Sequence, residues 1–309
     1  MSTTEVTVAG RKPPEMIEVR SRGPWRQALA RFRRRPLGIA AVVVILAFAL
    51  VAAIAPAVSP YPAARLFMEY LNRPQPPSLH HGHLLGTDVL GHDMLSQLLY
   101  AVRQTMLGSF VCAVGATAIG VVVGMIAGYF GGATDSALGW LTGVVVTMPA
   151  LAVVVLIVVY EAPLAPIWIW VALMFLLWTS VARVVRSSFA TLRHREFVEA
   201  ANAAGASGPR VVLRHLLPNA VGAVIVAATA IVGQSIVIIA TVDYFDLGAQ
   251  QADLPTLGGL VANAAKGVGM AATPWWLYAI PAIALSLLLV SINVAGDTLD
   301  DALNPAGAR

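Results

Sequence analysis

Apolar and polar positions fall into long blocks along this chain rather than alternating residue by residue. Six blocks reach the length of about 20 apolar residues that a hydrocarbon core of roughly 30 Å requires of a helix. They lie near 37–58, 105–130, 137–160, 163–182, 220–242 and 275–296, and none contains Asp, Glu, Lys, Arg or His. Gly, Ala and Ser are spread through them, which suits close-packed transmembrane helices rather than the dyad pattern of barrel strands. In the second block, "GATAIGVVVGMIAG", glycines recur at Gly115, Gly120, Gly124 and Gly128. The last three stand four apart on one helical face, a spacing for close helix contact. The pattern predicts an all-α integral membrane protein with six transmembrane helices.

Composition agrees. Of the 309 residues, 58% are hydrophobic and 12% charged, where a soluble domain carries about a quarter charged residues. The basic charge is arginine-dominated, with eighteen Arg and two Lys, and its placement sets the orientation. Nine basic residues (Arg11, Lys12, Arg20, Arg22, Arg26, Arg31, Arg33, Arg34, Arg35) precede the first block, and six lie between Arg183 and Arg214. The 59–104 loop holds three, Arg65, Arg73 and Arg103. The positive-inside rule puts the N-terminal tail and the 183–219 loop in the cytoplasm. Six spans return the C-terminus to that side, and loops 59–104 and 243–274 face outward.

The expected organisation follows. Residues 1–36 form a cytoplasmic tail with an interfacial helix near 23–36, and 37–58 is the first span. An extracytoplasmic loop covers 59–104. A core at 105–296 carries the cytoplasmic loop 183–219, and 297–309 is a C-terminal tail. Residues 2–24 are polar and punctuated by Pro and Gly. "GPWRQALARFRRRP" places Trp25, Ala28, Leu29 and Phe32 on one helical face with arginines opposite, the pattern of a helix lying on membrane lipids. A twin-arginine export signal at "RRRP" is set aside because the apolar run after it is long enough to span. Cys112 is the single cysteine, so no internal disulfide is possible, and it reads as a small buried hydrophobe.

The 183–219 loop contains "VEAANAAGASGPRVVLRHLLPNA", Val198 to Ala220. "RHREFVEAANAA" has good helix formers, Gly205 is a natural C-terminal stop, and Gly208 precedes Pro209, a preferred residue at a helix start. A helix, a sharp turn and a second helix ending at Pro218 are expected. The turn from Ala203 through Ala204, Gly205, Ala206, Ser207 and Gly208 has almost no side-chain bulk. Spacing alone leaves two readings open: a knuckle that enters a groove on another protein, or a plain solvated loop.

The stretch resembles the EAA signature of permease subunits of bacterial ABC importers: E-A-A, three residues, G, nine residues, a hydrophobic position, one residue, L-P. Glu199, Ala200, Ala201, Gly205, Leu217 and Pro218 fall in place, and His215 occupies the usually aliphatic position. The resemblance implies that this loop, with Ala206, Ser207, Gly208, Pro209 and Arg210, is the coupling helix that seats in a cytoplasmic ATPase. The chain has no GxxxxGK[ST] motif to cradle a nucleotide. ATP and Mg would be bound by the partner ATPase, with no cofactor and no catalytic residue in this chain.

Three more segments narrow the family. "LLGTDVLGHDMLSQLLYAVRQTM" (84–106), "GMIAGYFGGATDSAL" (124–138) and "GDTLDDALNP" (296–305) are similar to segments of dipeptide, oligopeptide and nickel permeases of the C-type. The resemblance implies the type I ABC importer permease fold with both termini cytoplasmic, in a bacterial cell membrane. It implies a homologous B-type permease, ABC ATPase subunits and an extracytoplasmic substrate-binding protein as partners, and no nucleic acid. Gly86, Thr87, Asp88, Gly91 and Asp93 then belong to an outward gate or docking surface, with a purely structural turn as the alternative. Departures from the family pattern are His92 and Gln97 in place of Arg, Trp140 and Gly143 in place of an Arg and an Asp, and Asp300 in place of Arg. "DYFDLGAQQADLPTLG" (243–258) follows its counterpart loosely.

Remaining polar features weigh less. "HHGH" (His80, His81, His83) offers metal-ligating side chains, but a metal site needs converging ligands with supporting partners, and no metal is expected. Gln234 and Ser235 in the fifth span either line a pore or hydrogen-bond another helix. The cargo implied is a peptide; nickel, a metal chelate or haem is the alternative. A secondary carrier needs intramembrane ionisable groups or broken helices, and the six blocks lack the former. A membrane-embedded hydrolase would need clustered His, Asp and Ser, and an exporter would not carry the EAA loop.

Overall fold

The computed structural model describes residues 24–79, 82–160, 166–245, 247, 254–266 and 274–303. The polar tail up to residue 23, His80, His81 and the end of the "GDTLDDALNP" segment lie outside them. The described residues form eleven α-helices: α1 (Pro24–Phe32), α2 (Pro36–Val58), α3 (Met94–Phe130), α4 (Gly132–Thr147), α5 (Ala150–Tyr160), α6 (Pro166–Leu192), α7 (Glu196–Ala203), α8 (Gly208–Val211), α9 (Leu217–Tyr244), α10 (Leu257–Lys266) and α11 (Trp275–Leu303). Five helical stretches are long and apolar enough to cross a membrane, and the bent pair α4–α5 makes a sixth.

The closest packing joins α3 to α6, and the sequence explains it. A Cβ added at Gly120 would stand 2.5 Å from the Trp178 carbonyl oxygen, one at Gly124 2.6 Å from that of Ala182, and one at Gly128 2.6 Å from Phe189 Cβ. The glycine face is therefore where one backbone lies directly on another. Val181, Val185, Phe189 and Leu173 of α6 are fully buried around it, with Cys112 and Ala116 of α3. Cys112 is thus the small buried residue expected. Helix α9 completes this core, and α2, α10 and α11 enclose a second one around Ala101, Val102, Ile236, Leu257 and Leu288.

Several helix ends differ from the hydropathy blocks. Helix α3 begins at Met94, inside the segment read as loop 59–104, because Asp93 caps it by accepting from the Ser96 N–H at 2.8 Å. The third block is two helices that meet at 72°. Pro149 holds Met148 in extended backbone (φ −73°, ψ 121°) and stops α4. Helix α6 runs to Leu192, past the expected end at 182, and α11 runs to Leu303 through the segment read as a tail. The end of α11 is held by α1 and the link that follows it: Arg31 of α1 donates to the Ala302 carbonyl at 3.2 Å and Arg35, just before α2, pairs with Asp301 at 2.7 Å. Ala28 is buried at this contact while Leu29 is exposed, so the interfacial helix lays part of its expected lipid face on protein.

The second helix of the 183–219 loop does not end at Pro218. Helix α8 passes through a π turn (Val212–Leu216) into α9, where the Leu217 N–H reaches the Val212 carbonyl five residues back. Pro218 has no N–H and its ring crowds the carbonyl four residues back. The wider turn absorbs both faults without breaking the helix. Pro56 inside α2 is handled differently. It leaves the Ala52 carbonyl without its helical donor, and Arg103 of α3 donates to that carbonyl at 3.2 Å. Loop 243–274 also contains α10. Its first turn is capped by Thr256, whose hydroxyl accepts from the Gly259 N–H at 3.1 Å and donates to buried Asp243 at 2.5 Å. Gly258 lets α10 lie on the Ala240 backbone, where an added Cβ would approach to 2.5 Å.

Gly124→Ala is expected to destabilise the bundle by about 1–3 kcal/mol, because the methyl group meets a backbone oxygen that cannot rotate away. Thermal unfolding of the detergent-solubilised protein reads this as a lowered midpoint. Gly132→Ala, whose added Cβ would meet nothing within 4 Å, carries the backbone penalty of a positive φ without that clash.

Candidate coupling loop and the opposite cap

At the arginine-rich end, α7 and α8 form a hairpin between α6 and α9. Val198, Val211 and Leu216 are buried and belong to the same core as Phe189 and Ala220. These three side chains tie the hairpin to the bundle. Helix α7 stops as its sequence requires: Gly205 takes a left-handed φ of +79°, its N–H reaches the Asn202 carbonyl at 2.9 Å, and the Ala206 N–H reaches Ala201 at 3.1 Å. This crossed pair of bonds is the glycine-terminated C-cap. Pro209 then sits in the first turn of α8. Gly208 underlies α3, where an added Cβ would stand 2.8 Å from the Tyr129 hydroxyl.

The outer surface of the hairpin is small and open. Glu199, Ala200, Ala203, Ala204, Gly205, Ser207, Pro209 and Arg210 are exposed, and Ala201, Ala206 and Gly208 are half-buried. Nothing lies within 4 Å of where a Gly205 Cβ would be. Glu199 makes no ion pair among the described residues. His215 is half-buried, its carbonyl accepting from Asn219 at 2.6 Å; Leu217 is half-buried and Pro218 exposed. The arrangement supplies no nucleophile, base or metal cluster. It is a rigid, low-relief protrusion with two carboxylates, Glu196 and Glu199, that make no ion pair among the described residues.

At the other end, the expected gate residues form a tightly bonded cap over α3. Asp93 is buried; it bonds His83 Nδ1 at 2.8 Å and also accepts from the Ser96 hydroxyl at 2.7 Å. The His83 ring sits among Tyr61, Phe67 and Tyr70, with centroids at 5.7, 4.8 and 5.4 Å. Asp88 accepts from the His92 and Leu90 N–H groups at 2.7 and 2.9 Å and bonds His92 Nδ1 at 2.8 Å. His92, standing where the family has Arg, thus still meets an acid. Gln97, the other such position, meets a backbone carbonyl instead, donating to that of Ala63 at 2.5 Å. Thr87 is fully buried, its hydroxyl accepting from the Gln75 N–H at 2.8 Å. Gly86 and Gly91 take left-handed φ values of +80° and +86°; at Gly91 a Cβ would stand 2.5 Å from the Phe67 carbonyl oxygen. Asp88, Asp93 and Thr87 are therefore engaged inside the cap rather than displayed on it.

The two polar residues of the fifth span part company. Ser235 is fully buried and bonds the Ile231 carbonyl at 2.8 Å and that of Ser109 on α3 at 3.4 Å, so its place is a helix contact rather than a pore wall. Gln234 faces outward from the bundle. Sequence reasoning passed over Asp135, which Arg186 grips through two nitrogens at 2.5 and 2.7 Å, joining α4 to α6. Their opposite charges, flanking the arginine-rich end, were the available signal. Among the described residues no group of His, Cys, Asp or Glu is arranged to hold a metal.

Residues 120–307 match the model of the binding-protein-dependent transport system inner membrane component, a span that includes the whole hairpin. The chain belongs to this family. Residues 23–77 match the N-terminal transmembrane domain of oligopeptide transport permease C. The dipeptide transport system permease protein of Alkalihalophilus pseudofirmus is 31% identical, over 95% of this chain and 93% of its own. The oligopeptide transport system permease proteins of Mycobacterium tuberculosis and Escherichia coli are 33% and 31% identical, over 89% and 94% of this chain and 92% and 94% of theirs. An inward-facing MetNI methionine ABC transporter structure shares the fold, with a TM-score of 0.53 and 21% identity over 68% of this chain and 97% of that one. The protein is accordingly a multi-pass membrane permease, and the family match takes in the glycine face of α3 and the whole of α6.

Asp93→Ala is expected to cost about 3–5 kcal/mol, since it strands a buried histidine and removes a helix cap. Hydrogen exchange should show the first turn of α3 opening. Asp88→Ala, on a more accessible acid, should leave α3 protected.

Proposed function

We propose that this permease forms half of the translocation pore of an ATP-driven peptide importer and couples that pore to cytoplasmic ATPase subunits through the α7–α8 hairpin. The observation that carries this reading is the hairpin itself: an exposed, bulk-free tip rigidly fixed to two spans by Val198, Val211 and Leu216. A tip of alanines and glycines has little binding energy of its own. Its anchors let it pass a push directly into α6 and α9. Peptide cargo is supported by the dipeptide and oligopeptide permeases to which the chain is similar over nearly its full length.

In the proposed cycle, a substrate-binding protein delivers peptide at the end of the bundle that carries the Asp93 cap. A second, homologous permease supplies the other half of the pore. ATP and Mg bind to the partner ATPases; closure of those subunits draws the two hairpins together and tilts α6 and α9. ATP hydrolysis belongs to the partners, and this chain contributes no catalytic group. The His83–Asp93 bond favours a structural role for the one described histidine of "HHGH" over metal capture.

Glu199→Arg and Gly205→Trp are each expected to lower ATP-dependent uptake of a dipeptide or oligopeptide at least tenfold while membrane insertion stays normal. Both positions are exposed and neither new side chain meets the bundle, so docking is what each change disturbs; Gly205→Trp also carries the backbone penalty of a φ of +79°, which makes Glu199→Arg the cleaner of the two. Copurification in mild detergent should recover a second permease and an ATPase with the unmodified chain. Wild-type uptake by both variants would remove the hairpin from the coupling path; uptake of nickel but not peptide would correct the cargo alone.

A further inference from the structure

A crevice runs between α3, α4 and α6 at the arginine-rich end, and the proposed coupling makes no use of it. Its outer chamber, about 440 Å³, is lined by Gly131, Asp135, Arg183, Arg186, Ser187 and Arg193. It shares Ala127, Arg183 and Arg186 with an inner chamber of about 140 Å³, which reaches along the helices to Val123, Leu138, Gly143 and Val146.

The outer chamber is electrostatically unbalanced. Three guanidinium groups face one carboxylate. Asp135 is taken by Arg186. The Arg193 Nε donates to the ring nitrogen of its neighbour His194 at 2.9 Å and has no acidic partner among the described residues, and Arg183 has no hydrogen-bond or ion-pair partner among them. Two positive charges therefore border a cleft in which no acid among the described residues balances them. The inner chamber has a different character: beyond the two arginines at its mouth its walls are mostly apolar, with Thr142 the one polar side chain, and nothing lies within 4 Å of where a Gly143 Cβ would be.

We infer that this crevice binds an anionic phospholipid, the phosphate between Arg183 and Arg193 and an acyl chain along Val123, Leu138 and Val146. A free phosphate satisfies the arginines but leaves the apolar chamber empty. A neutral lipid fills the apolar chamber but not the charge. Only an anionic lipid matches both, and basic pockets between transmembrane helices at the cytoplasmic side are where such headgroups bind. The lipid would sit on the seam that α3 and α6 share, beside the segment of α6 that leads into the hairpin, and would brace the helix pair there.

The test is native mass spectrometry of the full-length chain in mild detergent, titrated with phosphatidylglycerol and with phosphatidylcholine of the same acyl chains. The unmodified protein should retain one phosphatidylglycerol with at least tenfold preference. Arg183→Gln with Arg193→Gln should abolish the preference, and Arg73→Gln in the loop at the opposite end should not. Gly143→Leu, which fills the apolar chamber and touches no charge, should weaken phosphatidylglycerol retention several-fold, and it decides the matter if the arginine variant does not fold. Equal retention of the two lipids, an undiminished preference in the arginine variant, or an unchanged one in Gly143→Leu would overturn the proposal. Displacement of phosphatidylglycerol by inorganic phosphate would make this a free-anion site, and displacement on assembly with partner subunits a protein contact; either result overturns the lipid assignment.

Discussion

The backbone contact between α3 and α6 is the constraint on which the rest of the molecule depends. Lipid tails are as apolar as leucine, so hydrophobicity does not hold two spans together in a membrane; close packing does. Gly120, Gly124 and Gly128 bring α3 onto the carbonyls of Trp178, Ala182 and Arg186, and valines of α6 fill the flanks. At 1.5 Å per residue, the 37 residues of α3 make a rod of roughly 55 Å, much longer than a hydrocarbon core. One end of the rod is capped by Asp93 in the histidine-bearing knot. The other ends at Tyr129, under Gly208 of the hairpin. Through this single seam the two polar ends of the protein share one rigid support.

A membrane interior gives backbone groups no water to fall back on, so each proline demands a local solution. At Pro56 the solution is a side chain, Arg103, donating to the freed Ala52 carbonyl, which also pins α2 to α3. At Pro218 it is a π turn that keeps α8 and α9 continuous. At Pro149 the helix stops and bends. The difference follows from surroundings: α2 has an arginine within reach, α9 must stay unbroken to carry the hairpin, and the α4–α5 junction is exposed on both sides.

Hydropathy located every span and the glycine face, because both are properties of composition over a window. It misplaced helix ends, because the apolar slab and the helix are different objects. The ends of α3, α6 and α11 are polar helix beyond the slab, and their limits are set by groups such as Asp93, Arg31 and Arg35 that a hydropathy window averages away. Two signals were present and local: Asp93 followed three residues on by Ser96, and Pro149 within an apolar run. Others were not local at all. Nothing near His83 in sequence says that Tyr61, Phe67 and Tyr70 surround it, or that Asp93 is its partner. The same holds for Ser235, whose neighbour Ser109 lies far away in the chain, and for α10, whose burial depends on the backbone of Ala240.

The hairpin divides its work between residues in a way that bears on how force crosses it. Its buried residues, Val198, Val211 and Leu216, are large and branched and sit in the core that α3, α6 and α9 share. Its tip, Ala203 to Gly208, is entirely Ala, Gly and Ser. A displacement applied to the tip therefore meets no soft side chain before it reaches the spans, and the doubly bonded C-cap at Gly205 keeps the tip from unwinding. The cost of this arrangement is weak intrinsic adhesion, since small side chains bury little area. What remains for specific attachment are the exposed charges Glu196, Glu199 and Arg210, none with an ion-pair partner among the described residues. A carboxylate left open at the tip of a rigid lever is placed to meet a basic group on whatever subunit receives it, and shape rather than adhesive area then does the rest.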